Sequence, residues 1–170
     1  MDSIQSYPKV HSVNLIQENF YNEENYTPEE SVGYLMRGAW QALLKNIDAE
    51  MQIFDLTGMQ WGPLLLVAKG CCDSVATCAR ASYTDSGAMT RMLDRLETKG
   101  LLRRVRSLED RRVVNLELTP AGRVITQQIP ARLVKVLNQH LHGFNEAEFQ
   151  QFKQMLRRFA VNGRDSAGGS

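Results

Sequence analysis

The stretch from Thr84 to Gly122, TDSGAMTRMLDRLETKGLLRRVRSLEDRRVVNLELTPAG, decides how the rest of the chain must be arranged. It opens on Thr84 and Asp85, whose side-chain oxygens can hold free backbone amides at a helix start. Its first part stops at Lys99-Gly100, a cation followed by a residue that tolerates a left-handed backbone. Between these ends Met89, Met92, Leu93 and Leu96 fall at i, i+3, i+4 and i+7, which makes one apolar stripe. The opposite face carries Gly87, Thr90, Arg91, Asp94 and Thr98, with Arg95 at its margin. A helix that presents small and hydrogen-bonding residues first and arginines next can enter a major groove and reach base edges or phosphates. The same pattern also fits an amphipathic helix whose charged face is merely solvated.

The residues after Gly100 favour the first reading. Leu101 to Arg106 and Val113 to Leu118 are aliphatic and β-branched runs, with Val114, Leu116 and Leu118 alternating in the second, so they read as a hairpin. The loop between them holds Glu109, Asp110, Arg111 and Arg112 and presents cations at its tip. From Arg91 to Arg112 eight basic residues (Arg91, Arg95, Lys99, Arg103, Arg104, Arg106, Arg111, Arg112) face four acids (Asp94, Glu97, Glu109, Asp110). Eight minus four is a local surplus of four on a chain whose total is +1, so positive charge is concentrated at this element. Two short helices precede the groove-facing one. Helix, helix, helix and hairpin in that order are the parts of a winged helix.

At 170 residues the chain makes one domain, or one domain with extended arms, with room for a sizeable core. Its longest apolar run, Pro63 to Ala68, is far short of the ~20 residues of a membrane span, and the N-terminus has no basic-then-apolar secretory pattern. A cytoplasmic protein with no membrane partner is expected. The three cysteines, Cys71, Cys72 and Cys78, are odd in number and two are adjacent. They are read as structural or incidental thiols, neither a disulfide framework nor a zinc site.

Residues 1–26 form an acidic, mixed N-terminal arm, suited to a partner subunit more than to nucleic acid. Thr27-Pro28-Glu29-Glu30 reads as a capping box that starts a helix running to about Phe54. Thr57 reads as the cap of the next helix, which ends at Lys69-Gly70, and a third runs from about Ser74 to Ala81. After the hairpin, Thr119-Pro120 starts a long helix that Pro130 is expected to bend or split. A last helix from Asn145, with Glu148 completing its capping box, carries Phe149, Phe152, Met155, Leu156 and Phe159, a stripe too apolar for a lone terminal helix. The fold class expected is mainly α with a small β-hairpin wing. A winged helix-turn-helix over 56–118 is flanked by helical dimerisation segments over 27–55 and 119–162, with a Gly/Ser tail over 163–170. Terminal helices that meet their copies give a two-fold dimer, and a two-fold dimer predicts a pseudo-palindromic DNA site.

These residues resemble the MarR family of bacterial transcription regulators. The resemblance is carried by Leu56-Thr57 with Gln60-Trp61, Met89-Thr90-Arg91 with Asp94-Arg95-Leu96-Glu97, Lys99-Gly100-Leu101-Leu102 with Arg104, Asp110-Arg111-Arg112, and Leu118-Thr119 with Gly122. It implies a homodimeric repressor of double-stranded operator DNA, released by a small phenolic or aromatic-carboxylate effector. Carried over by position, Ser86, Gly87, Ala88, Thr90, Arg91 and Arg95 lie on the recognition helix. Arg111, with Arg112 beside it, matches the wing arginine of the minor groove, and Asp110 braces it. The chain departs from the family in the third helix, where Thr77-Cys78-Ala79 stands in place of an acid followed by Leu-Ala. It also lacks the reactive cysteine that a redox-sensing branch carries near the first helix, which leaves Cys71 or Cys72 for a redox-responsive alternative.

By helix position, Arg37, Trp40, Trp61, Leu65 and His140 are the expected lining of an effector pocket, with Arg37 or Arg80 as the cation for a carboxylate. No catalytic residue, metal or resident cofactor is expected. His11, His140 and His142 lack a nucleophile motif, a phosphate loop or paired metal-ligand spacing. A winged helix that binds only protein is disfavoured by the arginine-tipped wing.

Overall fold

The computed structural model describes residues 19–57, 59–106 and 114–165. It contains helices α1 (Val32–Met51), α2 (Trp61–Ala68), α3 (Val75–Ala81) and α4 (Ser86–Thr98), strands β1 (Leu102–Arg106) and β2 (Val114–Leu118), and helices α5 (Pro120–His140) and α6 (Glu146–Asp165). Two compact units divide inside α1, between Gly38 and Ala39. The mainly helical class with one antiparallel hairpin is the class expected from sequence.

In the first unit, Pro28–Glu30 is a short 3-10 turn, and Thr27 makes no side-chain cap. The capping box expected at Thr27 is therefore corrected. Ser31 is extended (ψ 143°), which interrupts the helix, and its Oγ instead accepts from Tyr34 N at 3.3 Å to cap α1. The Tyr21 hydroxyl accepts from Val32 N at 2.9 Å, and Tyr21 meets Tyr26 edge-on with ring centroids 6.0 Å apart. Tyr34, Leu35 and Met36 are exposed.

The second unit holds the core. Ile47 and Met51 of α1, Leu64 of α2, Met89, Leu93 and Leu96 of α4, Leu102, Leu116 and Leu118 of the hairpin, and Ile129 and Val136 of α5 form one buried cluster. The predicted stripe of α4 is thus its buried face, with Met92 at the edge. Glu50 of α1 bonds Lys135 and Arg132 of α5, and these cations hold its carboxyl below the usual range, the Lys135 hydrogen bond most of all.

Three expectations are corrected in this unit. Thr57 does not start α2. Gln60 N donates to Thr57 O (2.9 Å) and Thr57 N donates to Gln60 Oε1 (3.1 Å), and the helix begins only at Trp61. Of the bend or split expected at Pro130, the split does not occur: α5 continues from Pro120 to His140, because buried Thr126, Ile129 and Val136 hold it on the core on both sides of the proline. Cys72 and Cys78 are not free thiols. They form a disulfide that closes the α2–α3 connection onto α3, leaving Cys71 free and exposed.

The hairpin is antiparallel, pairing Leu102 with Leu118, Arg104 with Leu116 and Arg106 with Val114. Its base is locked to α5. Thr119 Oγ1 donates to Gly100 O (2.6 Å) and accepts from Gly122 N (3.0 Å), and Gly100 takes the left-handed backbone (φ 69°) that its position requires. Gly122 sits so close to β1 that an added Cβ would stand 1.9 Å from Leu101 O. Leu116 N also donates to Asp73 O at 2.8 Å, anchoring the hairpin to the connection that enters α3. No helix among the described residues is long and apolar enough to cross a membrane.

Candidate nucleic acid interface

Helix α4 starts where sequence places it. Asp85 is its N-cap, and its carboxylate accepts from Ala88 N at 2.8 Å, the main reason its pKa lies below the ordinary value. With one side of α4 buried, Ser86, Gly87, Thr90, Arg91, Asp94, Arg95 and Thr98 are exposed on the other, and Ala88 lies at the margin. The Thr90 hydroxyl donates back to Ser86 O at 2.7 Å, so only its lone pairs and methyl group remain to be offered outward.

Of the eight cations of the sequence tally, the six among the described residues divide into two groups. Lys99 bonds Asp55 and lies within 3.5 Å of Gln60 Oε1, tying the end of α4 to the turn between α1 and α2. Arg103 pairs across the hairpin with Glu117 at 2.7 Å. Arg104 meets Asp94 and Glu97 of α4, each at 2.7 Å, and its backbone N donates to Glu97 Oε1 at 2.9 Å. Partial burial works against the Arg104 guanidinium, but the two carboxylates outweigh it and raise its pKa. Arg91, Arg95 and Arg106 are exposed and enter no ion pair among the described residues. Asp110, Arg111 and Arg112 at the wing tip lie outside the described residues.

This division was not legible in the charge count. The acids on α4 read as part of a solvated face, whereas Asp94 and Glu97 are the buttress that sets β1 against the helix. Spacing supplies a hint, since Asp94 and Glu97 share a face at i, i+3, but the partner lies beyond a turn.

The six residues expected to line an effector pocket fall on several elements. Arg37 belongs to the first unit and Trp40 is exposed on α1. Trp61 is partly buried, its indole N–H enclosed with no partner among the described residues, and Leu65 stands one turn further along α2 against the core. Arg80 is exposed in the last turn of α3, and the His140 ring lies 2.9 Å from Asn46 Nδ2. Two clefts in the second unit are lined by other residues. One of about 350 Å³ lies where α5 meets α6, and one of about 500 Å³ lies between α2, β2 and α5 around Val67, Leu116, Arg123 and Gln127.

Residues 74–114, from the cap of α3 to the first residue of β2, match the family model described as the MarR family. The multiple antibiotic resistance protein MarR of Salmonella typhimurium is 32% identical over 108 residues, covering 64% of this chain and 73% of that protein. The HTH-type transcriptional regulator SarZ of Staphylococcus saprophyticus is 27% identical over 139 residues, 81% of this chain and 92% of its own length. Among solved structures, one of Bordetella bronchiseptica BpsR, concerned with regulation of its DNA binding by 6-hydroxynicotinic acid, superposes with a TM-score of 0.72 at 26% identity, covering 79% of this chain and 96% of that one. A mutant of Escherichia coli MarR complexed with operator DNA shares the fold, with a TM-score of 0.70 at 24% identity over 75% of this chain and 91% of that one. A capped helix with a buried stripe, a hairpin buttressed against it, and these likenesses over most of the chain give one conclusion: the chain belongs to the MarR family of transcription regulators, with a DNA-binding winged helix.

Proposed function

We propose that the protein is a homodimeric repressor that binds a pseudo-palindromic operator and is released by a small aromatic carboxylate or phenol. The observation that carries the DNA reading is the exposed face of α4, where Ser86, Gly87 and Thr90 precede Arg91 and Arg95, two guanidiniums with no ion pair among the described residues. Ser86, Gly87, Ala88 and Thr90 read base edges, Arg91 and Arg95 hold phosphates, and Arg111, braced by Asp110 and followed by Arg112, enters the minor groove. The dimer is supported by α6, whose Phe152, Met155, Leu156 and Phe159 are all exposed, an apolar stripe that a second copy would cover.

The effector class is supported by two observations. The buried indole N–H of Trp61, without a partner among the described residues, is a donor for an acceptor such as a carboxylate. The related BpsR is regulated in its DNA binding by 6-hydroxynicotinic acid, an aromatic acid bearing a hydroxyl. Ligand binding would act by population shift, favouring a spacing of the two recognition helices that no longer fits the operator.

The test is a titration of the full chain against DNA from upstream of its own gene. Arg91, Arg95, Arg111 and Arg112 of each subunit, on the backbone or in the groove, would together neutralise about eight phosphate charges per dimer, so affinity should fall on the order of a thousandfold or more between about 50 and 200 mM salt. Specific binding that survives a Trp61→Phe substitution but loses its release by 6-hydroxynicotinic acid would support both halves of the reading. No specific binding to any such fragment would sink it.

A further inference from the structure

We infer that Cys72 and Cys78 are a reversible dithiol–disulfide pair that sets operator affinity, with the disulfide form the tighter binder. The inference deepens the DNA-binding reading above and rests on it.

The bond lies inside the helix-turn-helix. It joins the connection after α2 to the middle of α3, and both cysteines are enclosed, Cys72 at 4% exposure and Cys78 at 0%. The neighbouring residue, Asp73, ties β2 to α3 through three hydrogen bonds. Its carbonyl accepts from Leu116 N of β2 at 2.8 Å, its carboxylate accepts from Thr77 Oγ1 of α3 at 3.0 Å, and its own N donates to Thr77 Oγ1 at 3.2 Å. Ser74 beside it caps α3 in a reciprocal box with Thr77. The disulfide therefore fastens the point at which the wing is anchored to the helix pair, and α3 packs directly on α4.

A protein that binds DNA works where cellular reductants keep thiols reduced, and disulfides in such compartments are transient or sensing ones. Reduction takes two electrons from a dithiol, which leaves as its own disulfide, and two protons, and it yields two thiols. Reduction thus removes the covalent tie between this connection and α3. Cys78 is enclosed on a helix, whereas residues 71–73 lie outside any helix or strand, so it is this connection that yields. That movement carries Asp73 O away from Leu116 N and loosens the wing from α3 and α4, whose fixed relation is what preorganises them for one DNA site. A hydroperoxide restores the bond. The Cys72 thiolate attacks the peroxide oxygen, forming a sulfenic acid and releasing the alcohol or water. The Cys78 sulfur then displaces the hydroxyl as water.

The experiment uses the full chain carrying Cys71→Ser, which removes the exposed thiol that could cross-link copies. It is treated with hydrogen peroxide or with dithiothreitol, its free thiols are counted by alkylation, and it is titrated against the operator fragment. The expected result is no free thiol after peroxide and both of the remaining thiols after reduction, with about a tenfold or greater loss of affinity on reduction that peroxide reverses. Adding Cys78→Ala should lock affinity at the reduced value whatever the treatment. If that variant loses its helical circular dichroism, the two treatments of the Cys71→Ser chain decide alone. Equal operator affinity in the two states, or two free thiols persisting after peroxide, overturns the inference and leaves the regulator reading intact. Absence of specific binding in both states overturns the regulator reading and this inference with it.

Discussion

At position 90 the hydroxyl proton is committed to the Ser86 carbonyl, so Thr90 can offer a base only an acceptor lone pair or its methyl group. Thr90→Ala removes both while leaving a good helix former. It is expected to relax base preference at one operator position by about 1–3 kcal/mol, measured by competition among single-base operator variants. Arg95→Gln should weaken matched and unmatched DNA alike and lower the salt slope by about one per subunit. Equal losses on both kinds of DNA for Thr90→Ala would remove Thr90 from base reading. Asp85 carries a pH dependence of definite sign. Its folded pKa is depressed, mainly by the Ala88 amide, so its contribution is complete above the unfolded value of about 3.9 and disappears as pH falls through the folded value. Asp85→Asn keeps an acceptor oxygen but does not titrate, so its melting temperature should fall less steeply than that of the parent below about pH 4. Parallel acid limbs in the two proteins would show that the cap contributes nothing there.

Between elements, the joints that matter are those of the wing. Gly122 lets α5 approach Leu101 O, and an added methyl group would stand 1.9 Å from that oxygen, which is backbone and cannot rotate away. Gly122→Ala is therefore expected to cost on the order of 1–3 kcal/mol or more in chemical denaturation. Gly87→Ala should fold normally, because its new Cβ meets only side-chain ends, Asp85 Oδ1 at 3.2 Å and Arg91 Nη1 at 3.5 Å. A normal denaturation midpoint for Gly122→Ala would refute the close approach. The Arg104 bridges to Asp94 and Glu97 are partly exposed and contribute little stability, under about 1 kcal/mol each, but they tie β1 to α4. The caps at Asp85, Thr119 and Asn145 were legible as local spacing, and each holds the amide expected of it. Thr27 and Thr57 offered the same letters and made no cap. In the first case an extended Ser31 intervenes, and in the second Thr57 N donates to the side chain of buried Gln60 and the helix starts only at Trp61.

Across the whole molecule, what stands out is apolar surface left uncovered by a single chain. None of the described α6 side chains is buried, although Phe152 and Phe159 lie on one stripe. Phe159→Asp is expected to convert a dimer into monomers in light scattering and to reduce operator affinity more than about tenfold, because one half-site then binds alone. A dimer that persists with this substitution would place the interface elsewhere.

The sequence by itself determined the order of elements, the buried face of α4 and the hairpin, because each depends on periodicity and on caps formed within a few residues, and its motifs carried the resemblance to the family. Only the tertiary structure decided which cations are spent on Asp55, Glu117, Asp94 and Glu97 and which stay available. It also decided that Cys72 closes on Cys78, that α5 runs unbroken past Pro130, and that Gly122 is a point of contact. The physical reason is common to all four. An ion pair, a disulfide, a tolerated proline and a steric limit are each set by what lies across space from a residue, and a one-dimensional pattern carries no distance between residues whose neighbours are brought together by the fold.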